Sequence, residues 1–288
     1  MRDIPTSPRI VEIRHNRRVR RLRLFVLFLI LFISIIWALS FFSSDKHIVI
    51  DKVAITGTHI IDQIDIEIEV YKNISGKYIY LFSKANSFIY PHKQIYNNLR
   101  LNFPRIESLS VYRDNLKTLH IDISERTGSF LYCGTSIPEN KDEVGENCYF
   151  INNDGFIFDK APYFSGNVYF KYYMTLEDSS VNPLGKQMIN VDQFHRIVRF
   201  IDGVTSLGFK PIYITINQDG TNSLYLNHGI NDTVPKIIFK SDNDLEVILD
   251  NLSLSMKKKE FADEINSKYN TLLYIDLRFK NKVLYKFQ

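Results

Sequence analysis

The sequence predicts an α+β protein with a single N-terminal transmembrane helix, and three observations lead to this prediction. A run of 19 residues without any charge, Leu24–Phe42, lies near the N-terminus. The rest of the chain is rich in Ile, Tyr and Phe and is divided by turn residues into short segments, as is typical of strands. A few longer segments repeat apolar residues at helical spacing, which favours helices packed against a sheet.

The charge-free run is long enough to span a bilayer as a helix. At a rise of about 1.5 Å per residue it covers roughly 28 Å, close to the thickness of the hydrocarbon core. The alternative is a cleavable signal peptide, but its apolar region is normally shorter and is followed by a small-residue cleavage site. Ala38-Leu39-Ser40 matches such a site poorly, and Phe41 and Phe42 continue the apolar run beyond it. We therefore expect a retained anchor over residues 24–42.

The charges beside this run predict its orientation. Eight arginines and only two acidic residues precede it, so residues 1–23 carry a charge of +6, whereas the whole chain carries +4. Basic residues stay on the cytoplasmic side, which places this basic tail inside and residues 43–288 outside the membrane. The tail has little apolar content, and we expect it to be mostly disordered. Because the remaining chain carries a net charge of −2, the composition argues against a nucleic-acid-binding domain.

We expect residues 46–127 to form a first domain, which begins with a strand at Ile48–Ile55. In Ile60–Tyr71, isoleucines alternate with acidic residues as in a strand with one wet face, yet Asp62 can cap a helix there, so both alternatives stay open. His92–Phe103 has one apolar helical face and is followed by a proline that ends the helix. The domain closes with two strands, Ile106–Arg113 and Thr118–Glu125.

Short motifs follow in a fixed order along nearly the whole chain. They are Gly57 after the first strand, Pro104-Arg105-Ile106, Val111-Tyr112-Arg113, Thr118–Arg126, Phe150–Phe158 and Tyr274–Arg278. Their order resembles that of the bacterial cell-division protein family FtsQ/DivIB. The resemblance implies a POTRA domain of β-α-α-β-β order and a C-terminal β domain. It also implies a non-enzymatic scaffold of the cytoplasmic membrane at the division septum, which recruits the small bitopic proteins FtsB/DivIC and FtsL.

We expect residues 128–288 to form a mixed or antiparallel sheet with two helices. One helix over residues 191–207 has a continuous apolar stripe, begins after Asn190 and ends at Gly208. The other begins near Asn243, with Ser241 as its cap and Asp244 in a capping box. The predicted strands are Ser129–Cys133, Cys148–Ile151, Phe156–Asp159, Val168–Tyr173, Pro211–Ile216, Ser223–Leu226, Lys236–Lys240, Leu272–Arg278 and Lys282–Phe287.

The two cysteines, Cys133 and Cys148, both lie outside the membrane in the predicted topology, where disulfides form. They flank the loop between two neighbouring predicted strands, so they can face one another. The alternative is a pair of small buried hydrophobic residues. We expect the bridge, because closing a loop of about 15 residues contributes about 3 kcal/mol in the chain-entropy model.

Signals of catalysis or metal binding are scarce. The sequence has no histidine pair at helical i, i+4 spacing, no Cys-x-x-Cys and no glycine-rich phosphate loop. One acidic motif, Asp242-Asn243-Asp244, follows a strand as the metal-binding motif of many glycosyltransferases does. A membrane-anchored glycosyltransferase with a divalent metal at this motif is the alternative function, although the same acids also suit a helix N-terminus. We expect no enzymatic activity, no cofactor and no metal.

We expect the partner surface at the C-terminal edge of the second domain. The resemblance implies it, because the family uses its C-terminal strands to hold FtsB. Independently, the chain ends directly after an apolar strand, and an uncovered strand edge is an aggregation hazard unless a partner pairs with it. The candidate partner-binding residues are Tyr274, Asp276, Arg278, Val283 and Tyr285.

Overall fold

The computed structural model describes residues 8–138, 147–164, 166–177, 182–227, 234–279 and 282–288. Within these residues the protein has a mixed α/β structure with six α-helices, one of them N-terminal and apolar. The chain divides into two compact units. The first unit comprises Met1–Asn102 with Ser108–Glu125, and the second comprises Phe103–Glu107 with Arg126–Gln288.

The N-terminal helix α1 covers Pro8–Ser43. Its part Arg17–Ser43 is long and apolar enough to cross a membrane, with a mean hydropathy of 2.9 over its most apolar 18 residues. The expectation of a disordered basic tail is wrong from Pro8 onward, because the helix continues through the arginines; residues 1–7 lie outside the described part. Extending an existing helix needs no new nucleation, which explains how a polar segment joins it.

The first unit contains a three-stranded sheet, two helices and a small hairpin. The strand order of the sheet is β1-β5-β4, with β1 parallel to β5. The elements are β1 (Lys52–Thr56), α2 (Gln63–Ile74), β2 (Lys77–Tyr78), β3 (Phe82–Ser83), α3 (His92–Asn102), β4 (Ile106–Arg113) and β5 (Thr118–Glu125).

The alternating segment that the sequence left open is helical in the structure. The side chain of Asp62 caps α2 by accepting a hydrogen bond from the backbone N–H of Ile64 at 2.9 Å. Ile66 and Val70, four residues apart, are buried, whereas Ile64 and Ile68 are exposed on the opposite side. Ile66 and Val70, one helical turn apart, therefore form the core face of α2.

Gly57 connects β1 to α2 and cannot be replaced without strain. Its φ of +82° lies in the left-handed region that favours glycine. A Cβ at this position would lie 1.9 Å from the carbonyl oxygen of Ile123 in β5. The close approach of these two backbones therefore requires a residue without a side chain.

The second unit is built on a nine-stranded mixed sheet. Its strand order is β14-β13-β12-β11-β10-β9-β6-β7-β8. The strands are β6 (Phe130–Tyr132), β7 (Tyr149–Ile151), β8 (Ile157–Lys160), β9 (Lys171–Met174), β10 (Pro211–Ile216), β11 (Thr221–Leu226), β12 (Lys236–Lys240), β13 (Leu272–Asp276) and β14 (Leu284–Phe287). The helices are α4 (Val191–Ser206), α5 (Leu245–Lys257) and α6 (Lys259–Ser267), followed by a short 3-10 turn at Tyr269–Thr271.

The three helices contribute to one hydrophobic core with the apolar side chains of one sheet face. The sequence predicted two helices here, so α6 is a correction. Its apolar content is limited to a few positions, with Ile265 buried and Phe261 half-buried against the core, so its local pattern is weak. The predicted cap of α5 is also wrong. Asp244 itself caps the helix, accepting from the N–H of Glu246 at 3.1 Å, while Ser241 binds the side chain of Asn222.

The opposite face of the sheet carries a smaller cluster beside the disulfide. Cys133 and Cys148 are bonded to each other, with a Cα–Cα distance of 4.2 Å. The bridge joins the residue after β6 to the residue before β7, and these two strands pair antiparallel. Leu131 and Ala161 pack around the buried Cys148. The covalent bond and the apolar cluster together fix this end of the sheet.

Candidate protein-binding edge of the second sheet

The two edges of the nine-stranded sheet differ in what covers them. Among the described strands, β14 pairs only with β13, and its other side has no strand neighbour. At the opposite edge, the backbone N–H of Ile157 in β8 donates to Lys186, and its carbonyl accepts from Gly185 at 2.8 Å. Met188 continues this cover by donating to Gly155. The segment before α4 therefore covers the start of β8 at Ile157, whereas β14 has no strand neighbour on its outer side among the described residues.

The direction of the backbone groups along β14 follows from one hydrogen bond. The N–H of Gln288 points toward β13, because it donates to the carbonyl of Thr271 at 2.9 Å. Backbone groups alternate in direction along a strand. The register shift lies on β13, where two steps oppose one step of β14. The alternation in β14 is thus unbroken, so Tyr285 and Phe287 direct their N–H and C=O groups outward, away from β13.

The acidic residue at the end of β13 is neutralised within the chain. Asp276 is 4 % exposed and is held by Arg278, whose Nε and Nη2 donate to its two oxygens at 2.9 and 2.6 Å. The backbone N–H of Arg278 donates to the same carboxylate at 3.0 Å. Burial alone would raise the pKa of Asp276, but these hydrogen bonds and the Arg278 charge hold the pKa below its ordinary value. This pair holds the backbone directly after β13 in place.

The side chain of Tyr285 lies on the helix-covered face of the sheet. Its hydroxyl donates to Glu264 of α6 at 2.7 Å, and its ring contacts Phe261 at 5.2 Å between centroids. The hydrogen bond to Glu264, followed by desolvation, raises the pKa of the Tyr285 hydroxyl. Val283 also packs against the core on this face. Helix α6 thus holds the edge strand in place from one side and leaves its outer backbone open.

The other face of the sheet presents Tyr274 between two lysines. Tyr274 lies opposite Lys236 on β12 and opposite Lys286 on β14. Asp276 lies opposite Leu284, which is 45 % exposed. A partner strand alongside β14 would therefore meet an apolar side chain and positive charge on this face.

The structure brings the five sequence-predicted residues to one corner of the sheet, in three different environments. Asp276 and Arg278 bind each other, Val283 and Tyr285 face the helices, and Tyr274 lies on the open face. Sequence reasoning missed the members that the register adds, which are Lys236, Glu264 and the exposed Leu284. Leu284 follows directly from the alternation along the strand, whereas Lys236 and Glu264 depend on tertiary pairing.

The acidic motif considered for a glycosyltransferase serves the local fold. Asp244 caps α5, as described above, and Asn243 lies in the turn between β12 and that helix. Within the part of the chain that the structure describes, no group of three or more His, Cys, Asp or Glu side chains could hold a metal ion. The role that the structure shows for this motif is that of a helix cap.

Comparison with models of known protein families gave no match, and a search of curated proteins found no relative.

Proposed function

We propose that the protein is a membrane-anchored, non-enzymatic scaffold of bacterial cell division, similar to the FtsQ/DivIB family. Helix α1 would cross the cytoplasmic membrane once, with the arginine-rich N-terminus inside and residues 43–288 outside. The length and hydropathy of Arg17–Ser43 support the crossing, and the eight arginines before residue 24 support the orientation.

The first unit supports the POTRA assignment through its order of elements. Its two main helices lie between β1 and β4 in sequence. In the sheet, the last strand, β5, lies between β1 and β4. Glu125 at the end of β5 accepts hydrogen bonds from the backbone N–H groups of His59 and Ile61, and so orders the turn before α2. The motif Glu125-Arg126, on which the family resemblance partly rests, thus has a structural role in the first unit.

The observation that carries the proposed function is the open edge of β14. A sheet whose last strand keeps its outer N–H and C=O groups free of any strand neighbour among the described residues suits β-strand addition. The occupant would be an extended extracytoplasmic segment of an FtsB/DivIC-like partner, with an FtsL-like protein in the same complex. The lysines beside Tyr274 favour an acidic segment.

Depletion of the protein with imaging of septum formation tests this function. We expect depleted cells to elongate without dividing, and a fluorescent fusion of the full chain to collect at the septum. A variant with Asp276→Asn and Arg278→Gln removes the ion pair behind the edge and should complement poorly. Normal septation in fully depleted cells would contradict the proposed function, whatever the protein binds in vitro.

A further inference from the structure

The hairpin of β2 and β3 exposes apolar side chains at its tip. Ile79 is 83 % exposed and Tyr80 is 95 % exposed. Both have positive φ, 49° and 62°, and the N–H of Leu81 closes the turn on the carbonyl of Tyr78 at 2.9 Å. Turns of this type normally use Asn-Gly, because side chains are strained there. An Ile-Tyr pair is thus unfavourable for the backbone, and both side chains are left largely in water among the described residues.

The same hairpin is bonded to the outer end of helix α1. The backbone N–H of Ser83 donates to Oγ of Ser43 at 3.0 Å, and Oγ of Ser40 donates to the carbonyl of Leu81 at 2.7 Å. The buried Asn86 donates its side-chain amide to the carbonyl of Ser43 at 3.0 Å. From Ser83 to Leu81 the hairpin therefore moves three helix residues, or about 4.5 Å, toward the N-terminal end of α1.

This direction sets the depth of the hairpin tip. The apolar run ends at Phe42, so the carbonyl of Leu81, bonded to Ser40, lies about 3 Å inside that end along the helix axis. Ile79 and Tyr80 precede Leu81 in the chain, and at the turn they continue the hairpin in the same direction. If α1 crosses a bilayer, the tip lies at the level where headgroups meet acyl chains.

We propose that the tip Ile79-Tyr80-Leu81 inserts into the outer leaflet of the membrane and gives the first unit a second lipid contact. The inference rests on the proposed anchoring of α1. Its ligand class is the lipid bilayer, since an isoleucine and a leucine suit acyl chains and a tyrosine suits the headgroup region. Lys77 and Lys84 lie at the base of the hairpin, where their side chains can reach lipid phosphates. Insertion would remove the exposed apolar surface that the turn otherwise leaves in water.

Fluorescence quenching in vesicles tests the insertion with the full chain. The protein has a single tryptophan, Trp37, which lies inside the apolar run. A Trp37→Phe, Tyr80→Trp variant moves this probe to the hairpin tip, at a position that is almost fully exposed. A Trp37→Phe, Ile60→Trp variant is the matched control. Ile60 is 67 % exposed, and its N–H binds Glu125 at the end of β5 that lies away from α1. Each variant is reconstituted alone in phosphatidylcholine and phosphatidylglycerol vesicles with bromine on the upper acyl chain.

We expect bromine to quench the Tyr80→Trp emission by a fraction comparable to that of Trp37 in the unsubstituted protein, with the Ile60→Trp emission unchanged. Quenching of Trp37 without quenching at position 80 would overturn the proposal while leaving the anchor intact. Equal quenching at positions 60 and 80 would also overturn it, because the whole unit would then lie on the membrane. Loss of quenching at Trp37 itself would refute the anchor and the insertion together.

Discussion

The open edge of β14 is best tested by replacing Tyr285 with proline and, as a matched control, with alanine. Both substitutions remove the hydroxyl bond to Glu264 and the ring contact with Phe261. Only proline also removes the outward backbone N–H, because its nitrogen carries no hydrogen. The difference between the two variants therefore isolates one backbone donor of the proposed interface.

The size of the effect follows from hydrogen-bond energetics. A strand added beside β14 would accept one hydrogen bond from this N–H, and losing such a bond costs about 0.5–1.5 kcal/mol. If the partner's carbonyl is left buried without a donor, the cost rises to about 1–3 kcal/mol. We expect the proline variant to bind the partner about 2- to 150-fold more weakly than the alanine variant, with the upper part of this range applying if the carbonyl is left unpaired.

The assay is calorimetric titration of the full-length protein in detergent with the extracytoplasmic segment of an FtsB/DivIC-like partner. Circular dichroism and thermal unfolding establish that both variants keep their fold, which matters because proline also restricts φ. If the two folded variants bind with equal affinity, the outer backbone of β14 makes no contact with the partner. The binding surface would then lie on side chains or on the first unit.

Three further predictions concern stability. Gly57→Ala should lower the free energy of unfolding by more than about 1–3 kcal/mol, because the clash with β5 adds to the strain of the left-handed backbone. Gly76→Ala, with nearly the same φ but no atom within 4 Å, should cost only that strain. Chemical denaturation of both variants measures the difference. The lowered pKa of Asp276 contributes stability above the ordinary pKa of about 3.9, and this is lost as the pH falls through the folded-state value. Melting temperatures should therefore drop on acidification in the unsubstituted protein and vary less with pH in Asp276→Asn. Replacing Cys133 and Cys148 by serine should cost about 3 kcal/mol, measured by non-reducing urea denaturation; an unchanged midpoint would contradict the entropic account.

Where local pattern and tertiary packing agree, the sequence predicted the elements closely. Strands β4, β10 and β12 have the predicted bounds, and α4 begins after its predicted cap Asn190. The alternation over Ile64–Val70 fits a strand equally well on its own. The helix prevails there because Asp62 caps it and because Ile66 and Val70 pack in the core, where α2 contacts α3 and β1.

The elements that could not be predicted depend on partners distant in sequence. Helix α6 is a short polar segment, and its few apolar residues are recognisable as core residues only from their contacts with β14 and the core. The β2–β3 hairpin has no Asn-Gly signal, since its turn is Ile-Tyr and its bonds run to α1. At the candidate site the sequence predicted the strands but not the roles of their side chains, because the pairing of Asp276 with Arg278 and of Tyr285 with Glu264 depends on tertiary geometry.

The unequal edges of the second sheet also limit how copies of this chain can assemble through it. Head-to-tail stacking of sheets needs two free edges on each copy, and the segment around Lys186 occupies the start of one of them at Ile157. Two copies that meet through β14 would share one symmetric contact, which occupies this edge in both copies. The second sheet thus offers β14 as the edge at which one strand, from a partner or from a second copy, can pair.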